Sequence, residues 1–353
     1  MKRIDERDTM FARMNYKKGT KEYNDYYSRN KDKEKIDDDI RNRPEICGEG
    51  TATYDEINSP IASSNFKFLA DIMKYSEGDI NPNRVEIDSE VMSKRIKGLT
   101  KHYGAVKVGI TKMEDYHYYS HRGRHENVYG EEVQPKHPYG IVFAVEMDKG
   151  MINRSPQVSE VIETSRAYVE AAIIGMQISY YIRELGYDAR NHMDANYLVV
   201  APLMARDAGI GDIGRNGILI TKDYGSRVRL GVVTTELPLI TDSKEDFGLE
   251  EFCRICKRCV RTCPGKAIPS GDKEEIDGIN RWQIKQEDCY KMWRSLGTDC
   301  GICISSCPFS QGIEAETIES IKNDKEKIDQ VLKEHDKKHG IRPYIKKPPK
   351  WLE

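Results

Sequence analysis

The sequence predicts an α+β fold in which a core of mixed strands and helices precedes a small ferredoxin-like domain for iron–sulfur clusters. Two observations lead to this prediction. Between residues 96 and 245, short continuous apolar runs alternate with one long stretch of helical spacing. Eight of the nine cysteines then fall between residues 253 and 307, at spacings typical of ferredoxins. The chain of 353 residues is long enough for both parts.

The cysteines form two groups. Residues 253–264 have the pattern C-x₂-C-x₂-C-x₃-C-P, and Cys289 precedes C-x₂-C-x₃-C-P at residues 300–308. In two-cluster ferredoxins, the fourth cysteine of such a run binds the other cluster. We therefore expect two [4Fe–4S] clusters, one held by Cys253, Cys256, Cys259 and Cys307, and one held by Cys263, Cys289, Cys300 and Cys303.

Other uses of these cysteines do not fit their spacing. A disulfide framework belongs to short secreted chains, and paired zinc sites need C-x₂-C pairs that are separated by a finger. Cys47 lies far from both groups and is predicted to be a free thiol.

The elements of the first half are predicted in order along the chain. Residues 1–60 are charged and rich in tyrosine, so we expect a wrapping arm with solvated turns, with disorder as the alternative. Residues 90–99 predict a short helix. Residues 105–110 and 140–146 predict strands, and the apolar run of the second strand indicates burial on both faces.

One long helix dominates the second half of the core. Residues 159–185 have helical spacing, and Gly186 is the expected stop. Residues 197–200, 218–220 and 228–234 predict strands, residues 205–208 look helical, and residues 314–337 predict a charged helix before a tail rich in proline and lysine. The face expected to be apolar on the long helix consists of Val169, Ala172, Ile173, Met176 and Tyr180.

These features divide the chain into four parts. They are an N-terminal wrapping region at 1–95, the core at 96–245, the cluster domain at 246–312, and a C-terminal helix and tail at 313–353.

Composition limits the classes of partner and the compartment. The net charge of −2 gives no overall basic field for DNA. The longest apolar run, residues 197–205, is far short of the ~20 residues that a membrane helix needs. No secretory signal is visible and oxygen-sensitive clusters suit a reducing compartment, so we expect a cytoplasmic protein. The alternative is an exported form from which a signal has been trimmed.

Two loops are candidates for cofactor contact. Residues 209–214 match G-x-G-x-x-G, but a helical stretch precedes them and no suitable acid follows, in contrast to a Rossmann fold. A loop that lets backbone approach a different large cofactor is the better interpretation. Residues 116–125 contain three tyrosines and three histidines. They lack the helical histidine pair of a metal site, so we expect a polar loop over the cofactor.

A tyrosine and two arginines are candidates for proton transfer. Tyr168 lies on the long predicted helix, and Arg227 and Arg229 alternate with apolar residues along the last strand of the core. Such residues usually belong to a core or to a solvated face. A reductase that adds a proton needs a weak acid, however, and a nearby guanidinium would lower the pKa of a phenol.

Several stretches together indicate a family. They are RDTMFARM at residues 7–14, GT at 19–20 with YY at 26–27, YSHRG at 119–123, AGIGDIGRNG at 208–217, DYGSRVRL at 223–230, TELPL at 235–239, and both cysteine groups. With these, the chain resembles the reductive dehalogenases, which are cobalamin-dependent iron–sulfur enzymes related more distantly to epoxyqueuosine reductase. The cysteine pattern is shared with the latter, whereas the first stretch and the stretch around residues 223–230 favour the dehalogenases.

The resemblance implies a nitroreductase-like α/β core that holds base-off cobalamin, with the two-cluster domain docked against it. It implies Tyr168 as proton donor, Arg229 as the cation that supports its phenolate, and Asn196 as a polar wall. Thr164 is expected in the same pocket, Tyr180 or Tyr181 are alternatives to Tyr168, and Arg227 is an alternative to Arg229. Contacts to the corrinoid are implied for Tyr119, His121, Gly209, Gly211, Gly214, Arg215 and Gly217.

The expected function is reductive removal of halide from a small organohalide. Electrons would come from a low-potential donor such as a ferredoxin, a flavodoxin or a reductase. A homodimer is compatible with the sequence, and membrane contact is expected only through a partner. One alternative is epoxide reduction on a modified tRNA base, which calls for a basic RNA-binding face. The other is a corrinoid-binding electron-transfer protein that does not turn over substrate.

Overall fold

A four-stranded antiparallel sheet forms the centre of the computed structural model, which describes residues 1–276, 278–322 and 324–353. The sheet order is β1-β2-β6-β3, and β4–β5 and β7–β8 form separate two-stranded ribbons. With helices packed on an antiparallel sheet, the core belongs to the α+β class that the sequence predicts. The strands are β1 (Lys107–Lys112), β2 (Tyr139–Glu146), β3 (Ala189–His192), β4 (Asp212–Ile213), β5 (Leu219–Ile220), β6 (Val228–Thr235), β7 (Glu274–Ile276) and β8 (Ile279–Arg281).

Helices surround this sheet and make up most of the cysteine-rich part. None of those in the described ranges is both long and apolar enough to cross a bilayer. They are α1 (Met10–Arg13), α2 (Lys21–Arg29), α3 (Lys31–Arg41), α4 (Ser59–Ile72), α5 (Ser89–His102), α6 (Lys149–Ile152), α7 (Val158–Glu184), α8 (Ala201–Asp207), α9 (Leu249–Cys256), α10 (Arg258–Thr262), α11 (Gln286–Leu296), α12 (Ile302–Ser305), α13 (Pro308–Gln311), α14 (Ala315–Ile321) and α15 (Lys325–His339).

Strand β2 is buried on both faces, as its continuous apolar run predicts. Ile141, Phe143 and Val145 join the core beneath α5 and α7, whereas Val142 and Ala144 join the core beneath α8. Successive side chains of a strand point to opposite faces, so a strand between two cores must be apolar at every position.

Helix α7 crosses one face of the sheet over a length of about 40 Å. It ends at Glu184, and Gly186 has a φ of +84°, as expected for a helix stop. The apolar face predicted for it is only partly buried, because Ile173 and Tyr180 are exposed. The residues that pack on the sheet are instead Ala167, Ala171, Ile174, Ile178 and Ile182.

Three predictions on secondary structure are wrong. Residues 197–200 form no strand and make a single bridge from Val199 to Tyr118, because the chain turns directly into α8. Strand β3 was not expected, since its sequence ARNH is polar, although all four residues are buried against β6. The helix predicted at 314–337 is two helices, α14 and α15, and residue 323 of that prediction lies outside the described residues.

The N-terminal region is helical rather than a chain of solvated turns. Its tyrosines form a buried cluster, because α2 and α3 pack together and enclose the rings. Each hydroxyl has a partner, as buried phenols require. The cluster contains Tyr16, Tyr23, Tyr26, Tyr27 and Tyr129.

A buried ion pair joins this region to the cysteine-rich part. The Arg13 guanidinium donates to both Asp37 carboxylate oxygens at 2.9 and 2.6 Å, and both side chains are fully buried. A third bond of 2.6 Å runs from Arg13 to Glu287 on α11. Because one guanidinium serves acceptors on α3 and α11, it fixes the N-terminal helices against the segment that carries the cysteines.

We predict that Asp37→Ala lowers the free energy of unfolding by about 3 kcal/mol, because it leaves a buried guanidinium with too few acceptors. The matched control is Glu90→Ala, which removes an exposed pair with Lys94 and should cost about 0–1 kcal/mol. Urea unfolding of both variants measures the difference. Equal effects of the two substitutions would contradict the structural role given to Arg13.

Candidate functional site

The eight clustered cysteines line two separate cavities, four in each. The smaller cavity is lined by Cys253, Cys256, Cys259 and Cys307. The larger is lined by Cys263, Cys289, Cys300 and Cys303. The structure therefore brings together the two sets expected from interleaved ferredoxin spacing.

The state of these thiols fits a metal cluster. All eight are free of disulfide bonds, and burial raises the pKa of Cys259, Cys300 and Cys307 to about 12. Without a cation these three thiols therefore keep their protons, and bound iron would take the place of those protons. The backbone N–H of Ala267 also donates to the Cys263 sulfur at 3.4 Å, a contact that suits a cluster ligand.

Arg215, one of the corrinoid contacts implied by the resemblance, lines the smaller cavity and lies outside the lining of the larger one. Its Nε donates to the carbonyl of Cys253 at 3.1 Å, and its guanidinium lies 4.4 Å from the Trp282 ring. Its charge lies near the first cysteine set, where it lowers the pKa of Cys259 against the stronger effect of burial.

The larger cavity lies between the sheet core and the cysteine-rich part and has a volume of about 400 Å³. The cavity is open to solvent, and the empty space inside it and at its mouth together amounts to about 1650 Å³. Its walls come from the N-terminal region, α7, β6 and the cysteine-rich part, so this cavity unites distant parts of the chain. Besides the four cysteines, its polar and aromatic lining comprises Phe11, Tyr119, Arg124, Tyr168, Asp194, Tyr197, Asn216, Arg229, Trp293 and Asp299.

Tyr168 and Arg229 are adjacent in this cavity. The Arg229 guanidinium carbon lies 4.9 Å from the centre of the Tyr168 ring. Burial nevertheless raises the pKa of Tyr168 above its ordinary value, because desolvation outweighs the opposing charge of Arg229. The guanidinium has the lowering effect expected of it, but burial outweighs that effect, so the net pKa is raised and Tyr168 holds its proton firmly.

Arg229 is fixed by two partners that hold it beside Tyr168. One of its terminal nitrogens, Nη2, donates to Thr164 Oγ1 at 2.9 Å and to Asp299 Oδ2 at 2.6 Å. Thr164 thus touches the arginine without lining the cavity itself. Asp299, which immediately precedes Cys300, carried no signal in the sequence that distinguished it from other acids.

A second carboxyl lies behind this ion pair. Glu160 is fully buried, and burial together with the charge of Asp299 raises the pKa of Glu160 well above its ordinary value. Glu160 therefore stays protonated next to the Asp299 carboxylate, and one negative charge faces Arg229 rather than two.

The alternatives left open by the sequence are resolved by position. Arg227 does not line the cavity, and its guanidinium donates to the carbonyl of Ser310 at 2.7 Å and to Glu146 at 2.8 Å. Tyr180 is exposed, and Tyr181 packs at the edge of the sheet core. Only Tyr168 and Arg229 of these candidates reach the cavity.

Several predicted contact residues lie elsewhere. Asn196 does not line the cavity, because its amide is bonded to Arg190 and Ser76 at 2.9 and 3.1 Å. His121 contacts Ser120 Oγ at 3.1 Å and lies outside the lining. Of the corrinoid contacts implied by resemblance, only Tyr119 and Gly217 line this cavity.

The glycines at residues 209–214 lie outside the lining of the larger cavity, and two of them are packed closely against neighbouring backbone. A Cβ on Gly209 would lie 2.5 Å from the carbonyl oxygen of Ser243, and a Cβ on Gly211 would lie 2.3 Å from that of Ile220. Gly217 differs, because its φ of +73° turns the backbone along the cavity wall.

The sequence did not single out several lining residues as individual site residues, among them Phe11, Arg124, Asp194 and Tyr197, although Arg124 lies in the loop 116–125 that was expected over the cofactor. Phe11 lies inside the RDTMFARM stretch, and Arg124 directly follows YSHRG. Their place in stretches that carry the resemblance was the available signal. Burial raises the pKa of Tyr119 and Tyr197 as it does that of Tyr168, so all three phenols face the cavity as neutral groups.

The chain is similar in sequence to an iron–sulfur domain family and to two groups of reductases. Residues 252–311 match the family described as a 4Fe-4S dicluster domain. The chain is 34% identical over 179 residues to tetrachloroethene reductive dehalogenase of Sulfurospirillum multivorans, which is 49% of this chain and 35% of that protein. It is 25% identical over 263 residues to epoxyqueuosine reductase of Lactococcus garvieae, covering 64% and 71% of the two chains.

Solved structures extend the likeness of the fold to nearly the whole chain. A catabolic reductive dehalogenase in complex with 3-bromo-4-hydroxybenzoic acid superposes with a TM-score of 0.77 at 22% identity, over 97% of this chain and 47% of that one. The chain thus has the fold of reductive dehalogenases, and the resemblance indicated by the sequence is confirmed. It spans about a third of the length of the curated dehalogenases that it matches first.

We predict that the cluster lost in a cysteine variant depends on the cavity that the cysteine lines and not on its place in the sequence. Cys259→Ser and Cys307→Ser should remove the electron paramagnetic resonance signal of one cluster and about half of the iron, and Cys263→Ser and Cys303→Ser should remove the other. Iron analysis and spectra of the reduced protein measure this, with Cys47→Ser as the unaffected control. Loss of the same signal in the Cys259 and Cys263 variants would contradict the grouping.

Proposed function

We propose that the protein is a cobalamin- and [4Fe–4S]-dependent reductive dehalogenase that removes halide from an organohalide. The observation that carries the proposal is that one cavity is lined both by a set of four cysteines and by the Tyr168–Arg229 pair. A source of electrons and a source of protons would thus meet at one place. The likeness to reductive dehalogenases in sequence and fold supports this chemistry.

The cavity fits a large flat cofactor in addition to a cluster. Its lining is mainly apolar, and the consecutive residues Gly217, Ile218 and Leu219 form part of one wall. Nδ2 of Asn216 is a buried donor without a partner in the described chain, which suits a polar substituent of a bound group. No histidine is among the described lining residues, so we propose a corrinoid in the base-off form without an imidazole from the protein.

When bound, the clusters and the corrinoid would supply the electron transfer and the reducing power toward the carbon–halogen bond. The first cysteine set lies outside the larger cavity, so we propose that electrons from a low-potential donor protein enter there. Oxygen-sensitive clusters suit a reducing interior, and the cytoplasm is the compartment we propose.

The chain itself would supply the proton and the surroundings of the reaction. Tyr168 holds a proton at its phenolic oxygen, and Arg229 stabilises the phenolate that forms when the proton leaves. Asp299 and Thr164 hold Arg229 in place. The apolar walls and the aromatic side chains limit the access of water to Arg229, so its charge is less screened than it would be at the protein surface.

We predict that Tyr168→Phe lowers halide release by 10²-fold or more, because it removes the general acid and keeps the ring. The test uses protein reconstituted with cobalamin and clusters, a low-potential reductant and a panel of organohalides. Tyr181→Phe is the matched control and should keep full activity. Full activity of Tyr168→Phe would remove Tyr168 from the mechanism.

We further predict the pH dependence. The pKa of Tyr168 is raised, so the phenol stays protonated from pH 6 to 9 and should cause no loss of rate in that range. Loss is expected only as the pH rises above its ordinary pKa of about 10. Arg229→Gln removes a charge that lowers the pKa of Tyr168. The variant should therefore lose activity only at a higher pH than the wild type, although its rate is lower. A fall in rate through pH 7–8 that Tyr168→Phe abolishes would contradict the assignment.

The same preparation separates the alternatives. Queuosine formation on a modified tRNA without halide release would favour epoxide reduction, an outcome to which the likeness to epoxyqueuosine reductase gives weight. Reduction of cobalt without either product would favour a corrinoid-binding electron-transfer protein.

A further inference from the structure

Arg124 is a second cation of the larger cavity, and the proposed chemistry does not use it. Its loop is held from both sides. The N–H of Gly123 donates to Glu6 Oε2 at 2.7 Å, and a Cβ on Gly123 would lie 2.6 Å from the backbone nitrogen of Arg7. Nε2 of His125 lies 2.6 Å from the carbonyl oxygen of Ala195. Arg124 therefore reaches the cavity from a fixed backbone.

The donors of Arg124 are almost unused. Within the described chain its only ionic partner is Asp194, with Nη1 and Oδ1 separated by 3.5 Å, and it makes no side-chain hydrogen bond. The guanidinium carbon lies 4.9 Å from the Phe11 ring, a contact that leaves the N–H groups free. Arg229 differs, because it is bound to Thr164 and Asp299 at hydrogen-bond distance.

Arg124 keeps its charge in this setting. Burial alone would lower the pKa of Arg124, but the charges of Asp194 and Glu6 outweigh burial and raise the pKa above its ordinary value. A guanidinium carries five N–H donors in a planar fork. The Arg124 side chain is 18% exposed and lines the cavity, so a ligand in the cavity that offers an anionic acceptor would gain charge-assisted hydrogen bonds from these donors.

We propose that Arg124 binds the carboxylate of a halogenated acid and so selects an anionic substrate. The inference rests on the proposed function, because it names the class of organohalide. A carboxylate matches the guanidinium fork with two parallel bonds, and Arg is the residue best suited to this geometry. The three neutral phenols of the lining add donors, and among the described residues a bound carboxylate would compete for the guanidinium only with Asp194, whose contact of 3.5 Å is long.

The position of Arg124 relative to Tyr168 favours the substrate over the cofactor as the source of the anion. Arg124 and Tyr168 line the same cavity, and the charge of Arg124 lowers the pKa of Tyr168 against the stronger effect of burial. A group anchored at Arg124 would therefore hold the rest of a small molecule beside the proton donor. The phosphate of the nucleotide tail of cobalamin offers the same anionic oxygen, and the experiment separates the two.

The test compares 3-bromobenzoate with the neutral 3-bromobenzamide as ligands of the oxidised holoenzyme, by calorimetry and without turnover. The wild type should bind the acid at least tenfold more tightly than the amide. Arg124→Gln should weaken binding of the acid by on the order of 10- to 100-fold and that of the amide by less than twofold. Arg122→Gln, two residues away and outside the lining, is the matched control and should change neither.

Equal binding of acid and amide by the wild type would overturn the proposal, as would equal weakening of both in Arg124→Gln. If Arg124→Gln does not fold, Arg124→Lys keeps the charge without the fork and should give an intermediate preference for the acid.

The cofactor is tested with cobalamin and with cobinamide, which lacks the nucleotide tail. Loss of affinity for cobalamin alone would assign Arg124 to the phosphate and overturn the proposal.

Halide release from both ligands after reduction separates this inference from the proposed function. Equal release from acid and amide would contradict the role of Arg124 and leave the dehalogenase intact. No release from either, together with binding that selects the acid through Arg124, would contradict the proposed function and support the anion site.

Discussion

The ion pair between Arg229 and Asp299 is the contact on which the site depends. Arg229 stands on a central strand of the sheet, and Asp299 directly precedes a cysteine of the second set. Their bond of 2.6 Å therefore joins the sheet core to the cluster-binding part at the cavity itself. The same guanidinium lies against Tyr168, so the geometry of the proposed acid depends on how the two parts dock.

Burial decides the electrostatics of this pair. A single protonated carboxyl, Glu160, lies behind Asp299, which leaves one negative charge to balance Arg229. Tyr168 retains a raised pKa in spite of its cationic neighbour, because desolvation of the phenolate costs more than the guanidinium returns. The arginine therefore acts when the phenolate forms during the reaction, and its presence does not ionise the phenol beforehand.

Local sequence patterns predicted the main strands and helices and the two cysteine sets. They failed where a structure depends on contacts between residues far apart in the sequence. The run of β2 and the spacing of α7 are visible in the sequence because burial and helix period act on neighbouring residues. Strand β3 is polar and owes its place to pairing with β6, which no local pattern reveals. The roles of Asp299 and Arg124 likewise depend on partners that lie far away in the sequence. Asp299 binds Arg229, and Arg124 lies near Asp194, and each pair is 70 residues apart in the sequence.

The N-terminal helices complete the cavity, which explains why the stretch that begins the chain carries so much of the resemblance. Phe11 on α1 stacks on Arg124 and also contacts Tyr290 and Trp293 of α11 at 5.9 and 6.0 Å. Two residues later, Arg13 binds Glu287 on the same helix. A segment that was expected to be a solvated arm thus forms part of the cavity wall. Because its aromatic ring touches both the cation and the cluster-binding helix, displacement of this segment would widen the opening of the cavity to water and weaken the charge interactions near Arg124.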